Sequence, residues 1–177
     1  MSNYSIPHVT DGETFKIGDM EFIKFPSENG MTPVVMKDVA FASRFGDSNN
    51  LNESIVLKRM KDEILPKIIA VIGEENLCSI QTDLTAFDGL KPYEDVESLI
   101  SLPTLDFYRA NVAIFDRYNP KAWWWLATPH SAQPHYDPWW VLCVAPSGNI
   151  INDRYCISDG VRPFLIFNSS IFESSEG

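Results

Sequence analysis

The sequence predicts an α+β fold of antiparallel strands and hairpins with two or three short helices. Three observations predict it. Residues 122–167 hold all five tryptophans and break into aromatic or β-branched runs bounded by Pro, Gly, Ser, Asn or Asp. Two alternating runs flank Gly18-Asp19 near the start. Between them, apolar residues in 55–72 recur at near-helical spacing.

In chain order, residues 1–10 read as a frayed start or an added edge segment. Residues 13–17 and 20–25 form a hairpin around Gly18-Asp19, with Phe15 and Ile17 on one face. Residues 32–36 are a third strand, begun or edged by Pro33 and extended by Val39-Ala40-Phe41. Asn50 or Asn52 caps a helix carrying Ile55, Leu57, Met60, Ile64 and Leu65 on its apolar side. Pro66 interrupts that helix and opens a second short one, which Gly73 ends. Residues 78–85 read as a strand with Ile80, Thr82 and Leu84 on one side. Thr104 caps a short helix reaching Arg109, with Asp106 favourable to the dipole at its second position. Residues 111–120 lead out into the tryptophan strand.

Strands follow at 123–127, 139–145 and 150–156. Pro146-Ser147-Gly148-Asn149 makes a hairpin turn between the last two, because these residues tolerate turn conformations. In that hairpin Cys143 faces about Asn152. Ser158-Asp159-Gly160 turns the chain again before a fourth strand at 161–167.

A chain of 177 residues fits a single domain, 1–177, with 1–10 and 172–177 as frayed ends. No apolar run of about 18 residues exists, so no membrane span is expected. The start lacks a basic segment followed by an apolar core, so no secretion signal is expected. Cys78, Cys143 and Cys156 are an odd count without metal spacing, and read as buried free thiols in a cytoplasmic protein. The net charge of -10 argues against direct nucleic-acid binding, which needs Lys and Arg for phosphates, and suits a basic protein partner.

Trp124-Trp125-Leu126, a polar loop, two strands around a Gly turn, and Gly160-Val161-Arg162-Pro163 before an apolar run together resemble an uncharacterised bacterial and phage domain family. That family has a WWL…TP segment and a C-terminal GVRP signature. Gly12-Glu13-Thr14-Phe15-Lys16-Ile17-Gly18-Asp19-Met20-Glu21-Phe22 resembles its opening hairpin. Ser101-Leu102-Pro103-Thr104-Leu105-Asp106-Phe107-Tyr108-Arg109 resembles its LLTxDEYR segment. The resemblance spans about residues 12–167 and implies a C-type-lectin-like mixed domain. It implies no activity, because the family has none assigned and lectin-like folds host many functions. Ala127 and Thr128 stand where many members carry Arg-Ser, so no role of that Arg carries over.

No catalytic residue is expected. The sequence lacks G-x-S-x-G, H-E-x-x-H, a P-loop and C-x-x-C. His130, His135 and Asp137 could gather at a metal, but their spacing matches no common site, so neither metal nor cofactor is expected. Asn152 and Asp153 lack a preceding Trp, which argues against calcium-dependent sugar binding. Cys143 and Cys156 are the one pair that would suit a formylglycine-generating-enzyme-like oxidase, the weakest alternative.

Binding remains. Residues 74–97 hold seven acids, including Asp88, Glu94, Asp95 and Glu97, against the single base Lys91, a net of -6. The stretch reads as a solvated face or as a contact surface for a basic partner. The loop 129–138 is stiffened by Pro129, Pro134 and Pro138 and offers His130, Gln133, His135, Tyr136 and Asp137. Trp139 and Trp140 are candidate interface anchors beside it. Trp124, Gly160 and Arg162 read as structural, with Arg162 pairing backbone carbonyls or a carboxylate, Asp106 or Asp116. The expected function is non-catalytic, stoichiometric binding to a basic surface. The partner class would be a nucleic-acid-processing defence enzyme, inhibited in the manner of an anti-CRISPR protein by a phage- or mobile-element-borne chain. The alternative is a receptor- or glycan-binding module.

Overall fold

The hairpin at Gly18 leads the chain in the computed structural model, which describes residues 4–91, 93–131 and 139–175. β1 (Thr14–Ile17) and β2 (Met20–Lys24) pair antiparallel around it, and β3 (Met31–Met36) pairs with β2. β4 (Phe41–Arg44) does not extend β3 as expected. The chain crosses at Lys37 and lays β4 in a second sheet.

The helical segment is one rod with a defect. The Ser54 hydroxyl accepts from Leu57 N and caps α1 (Ile55–Arg59). A π-turn (Met60–Ile64) follows, then α2 (Leu65–Ile72). Pro66 has no amide to donate and its ring crowds the carbonyl four residues back, so the ladder widens to a Leu65 N to Met60 O bond. Gly73, at φ 83°, ends the rod. Val56, Leu57, Met60, Ile64, Ile68 and Ile72 form the buried face.

β5 (Ile80–Thr82) and β6 (Val96–Ser98) form a two-stranded ribbon, with Ile80, Thr82 and Leu84 buried. The Thr104 hydroxyl accepts from Phe107 N at the start of α3 (Leu105–Ala110). Residues 111–120 are more than a lead-out: α4 (Val112–Phe115) and a tight turn occupy them.

β7 (Trp124–Pro129), β8 (Trp140–Val144), β9 (Ile150–Arg154), β10 (Ser158–Val161) and β11 (Phe164–Asn168) complete the chain. The four-stranded sheet runs β1-β2-β3-β11 and the five-stranded sheet β4-β10-β7-β8-β9. All pairs are antiparallel except β10 with β7. The result is a mixed α+β fold with several antiparallel sheets and few short helices.

Ser158-Asp159-Gly160 is therefore strand, not turn. Gly160 is needed there because β10 runs close to its neighbours: a Cβ would sit 2.7 Å from Val39 Cγ2 and 2.9 Å from Trp123 O. In the β8–β9 hairpin, Val144 opposes Ile150, so Cys143 faces Ile151 rather than Asn152.

Strand alternation feeds two cores. Phe22, Trp125, Ala127, Val141 and Cys143 join the helical rod in one. Ile23, Trp124, Leu126, Leu142 and Val144 join Tyr108 and Phe115 in the other. Each fully buried Trp removes roughly 200 Å² from water, worth on the order of 5 kcal/mol before chain entropy is counted. Trp125 Nε1 donates to Ser43 O at 2.9 Å.

Arg162 sits where the chain passes from β10 to β11 and so from one sheet to the other. It is 0% exposed. Its Nε donates to Met36 O at 3.1 Å, and one terminal nitrogen reaches Lys37 O at 2.8 Å and Tyr118 O at 3.4 Å. The guanidinium lies over Trp124, 4.6 Å from the ring centroid. Because Met36 and Lys37 begin the other crossing, this one side chain ties both crossings together. Its partners are carbonyls, not the Asp106 or Asp116 carboxylates: Asp106 pairs with Arg109 at 3.0 Å, and no ion pair of Asp116 is found among the described residues.

The two ends also meet. Ile6 is buried, its N donates to Ile171 O, and Glu173 N donates to Ile6 O. Of the two readings of residues 1–10, the described part fits the added segment rather than the frayed one.

Candidate functional site

A groove opens where the acidic stretch meets the start of the tryptophan loop. The turn at 86–90, closed by Gly89 N to Ala86 O and Ala86 N to Leu90 O bonds, pushes Phe87 outward to 59% exposure. Phe87 N donates to Pro129 O at 2.8 Å, and the Phe87 ring stacks on His130 with centroids 5.8 Å apart and planes 16° from parallel. Leu105, Leu142 and Ile150 supply the apolar floor and Arg109 and Asn152 the polar rim of a hollow of about 400 Å³. A second hollow of about 220 Å³ continues past Leu105 toward Asp83, Asp106 and Thr128. The Ser131 hydroxyl donates to Asp88 Oδ2 at 2.7 Å. Two stretches that the sequence treats as separate thus form one surface.

The acids of that surface divide by task. Asp83 accepts from the Thr85 hydroxyl and amide, and its carboxyl is held below the usual range first by that hydroxyl. Asp95 takes Lys91 at 3.0 Å and Leu84 N at 3.3 Å, and Lys91 holds its carboxyl down. Asp88 Oδ1 accepts from Leu90 N at 3.2 Å. Asp88 and Asp95 are therefore builders of the loop. Glu94 and Glu97 stand exposed, Glu97 opposite Gln81 in the β5–β6 ribbon.

Of the tryptophan anchors, Trp140 is 38% exposed and lies opposite Arg154. The Arg154 guanidinium covers Trp139 at 4.2 Å and Trp140 at 5.9 Å from their centroids. Gln133, His135, Tyr136 and Asp137 lie outside the described residues. The grouping of His130 with His135 and Asp137, against which their spacing argues, therefore lies partly outside them.

On the opposite face of the β8–β9 hairpin lies a group that sequence reasoning missed. Cys143 from β8, Asp153 from β9 and Asp159 from β10 bring one ligand atom each within 4.8 Å of one another. Cys143 is fully buried and Asp159 only 5% exposed, while Asp153 is half-buried. Asp159 Oδ2 accepts no hydrogen bond, and neither carboxylate belongs to any ion pair among the described residues. Burial first, then the neighbouring Asp153, pushes Asp159 up to about 7. Asp153 and Asp159 can share a hydrogen bond only with a proton between them. Burial, reinforced by both acids, also pushes the Cys143 thiol well up, so in the metal-free protein it is no nucleophile. All three cysteines are free, but only Cys143 is buried as expected: Cys78 is half-buried and Cys156 is exposed.

No helix among the described residues is long and apolar enough to cross a membrane. No protein-family model, curated protein or solved structure matches this chain, so its reading rests on its own geometry.

Proposed function

We propose that this chain is a non-catalytic protein-binding domain that acts stoichiometrically on a basic surface of a partner, through the Phe87–His130 groove. The observation that carries this reading is the exposed Phe87, stacked on His130 at the mouth of an apolar hollow, with Asp83 and Asp106 lining the hollow beside it. An aromatic beside a desolvated pocket supplies affinity, and the surrounding acids steer the encounter. A nucleic-acid-processing host enzyme is the partner class whose working groove carries basic charge, so inhibition of the anti-CRISPR type in a bacterial cytoplasm is the form this binding takes. The net charge of -10 opposes direct contact with phosphates. The lectin-like identity of the fold and a phage or mobile-element origin belong to the same proposal.

A glycan-binding module is the second reading, supported by the flat Phe87–His130 face beside Arg109 and Asn152. Capture from a bacterial lysate separates the two. The first reading expects a basic nucleic-acid-handling enzyme retained at about 50 mM salt, released by about 500 mM salt or by competing duplex DNA, and lost with Phe87→Ala. Retention of a polysaccharide, or equal capture by Phe87→Ala, would overturn it.

A further inference from the structure

One group of side chains stands apart from the proposed binding surface. Cys143, Asp153 and Asp159 converge from three strands on the far side of β8–β9. Asp159 is a buried carboxylate with an unpartnered oxygen and no basic group paired to it among the described residues. A buried acid without a counter-charge is costly unless a cation or a proton completes it. We propose that Cys143, Asp153 and Asp159 form a zinc-binding site, with the fourth coordination position left open.

The choice of ion follows from the donors. One thiolate and two carboxylates mix soft and hard ligands. Calcium and magnesium take oxygen, in sets of six or more, and have no use for a thiolate. Copper(I) and iron–sulfur clusters draw on several soft donors. Zinc accepts both kinds in a tetrahedron, with Zn–S near 2.3 Å and Zn–O about 2.0–2.2 Å, so its ligand atoms sit roughly 3.5 Å apart. The observed 4.8 Å envelope lies little more than an ångström above that spacing. The charges also fit: the thiolate and two carboxylates carry -3, and zinc leaves -1. Binding displaces the Cys143 proton and any proton shared by the two acids, so both leave to solvent. Asp153, half-buried, provides the side from which an ion arrives. This site stands apart from the proposed partner surface and does not rest on it.

Cobalt(II) as a spectroscopic probe tests the site. The full chain, stripped with a chelator, is titrated at about pH 7.5. The site predicts one equivalent of cobalt, the intense visible bands of a tetrahedral ion, and a near-ultraviolet thiolate-to-cobalt charge-transfer band. Zinc must abolish all of these. Cys143→Ser must lose the charge-transfer band, and Asp159→Asn must weaken binding by at least about tenfold. Cys156→Ser must change nothing. If Cys143→Ser fails to fold, Asp153→Asn at the half-buried edge replaces it and must also weaken cobalt binding. Absence of the bands in the parent, equal binding by Asp153→Asn and Asp159→Asn, or a charge-transfer band that follows Cys156 or Cys78 would overturn the proposal.

Discussion

Two ionisable groups are buried within and just after β10, three residues apart, and they are treated differently. Arg162 gives hydrogen bonds to three carbonyls and rests on the Trp124 ring, although one of its terminal nitrogens has no partner among the described residues. Burial draws its guanidinium down only to about 10, so it stays charged at neutral pH. Asp159 has an unpartnered oxygen and a second carboxylate for a neighbour. The difference teaches how to read a buried charge. One on which several backbone carbonyls depend is part of the framework, and its removal leaves them stranded. One whose bonds are missing marks a place where the framework is incomplete by itself.

The comparison breaks most directly at Arg162. Arg162→Ala strands Met36 O and Lys37 O and opens a cavity beside Trp124, so it should cost about 3 kcal/mol or more in denaturant unfolding. A loss within about 0.5 kcal/mol would mean that the two crossings need no tie. A smaller effect is expected at the surface. Phe87→Ala should weaken partner binding by about 2 kcal/mol and leave the melting temperature nearly unchanged, because the ring is exposed. A matching drop in melting temperature would make Phe87 a packing residue.

The smallest effect belongs to the acidic loop. Asp83 and Asp95 are held below the usual carboxylate range, so the stability they add is present above about pH 4 and is lost as the pH falls through their lowered values. Asp83 lies largely in solvent and Asp95 is half-buried beside the exposed Lys91, so the loss should stay below about 1 kcal/mol. Amide hydrogen exchange at Leu84 and Thr85 at low pH reads it. Unchanged protection there would show that these carboxylates do not hold the loop. The same bonds forbid treating the acids as interchangeable: Glu94→Gln with Glu97→Gln tests steering, whereas Asp88→Asn and Asp95→Asn also disturb the turn.

Much of the framework was legible because its causes are local. The Gly18 hairpin, the Thr104 cap, the Gly73 stop and the alternation of Ile80, Thr82 and Leu84 each follow from a few neighbouring residues. The Pro66 break was legible too, although its form, a π-turn within one rod, was not. The acid–thiol group was hidden by two small errors of register and type. Placing Cys143 opposite Asn152 instead of Ile151 sends Asp153 to the other face, since one residue of slip reverses every side chain. Reading Ser158-Asp159-Gly160 as a turn hides that Gly160 serves close strand packing and that Asp159 points inward. The meeting of Asp88 with Ser131 depends on tertiary proximity across 43 positions, for which no local signal exists.

The central claim is that Asp159 burdens the metal-free fold and serves it only when a cation is bound. Its raised value means that the folded protein holds the proton more tightly than the unfolded chain does. That contribution is full below about pH 4 and is lost as the pH rises through about 7. At pH 8 the Asp159 carboxylate therefore stands buried with no basic group paired to it among the described residues. The deciding measurement is the melting temperature of the parent and of Asp159→Asn at about pH 8, first with a chelator and then with excess zinc. With the chelator, Asp159→Asn should be the more stable, by on the order of 2 kcal/mol. With zinc the order should invert, because only the parent gains the ion. If Asp159→Asn melts lower under both conditions, the carboxylate is an ordinary part of the framework and the claim fails.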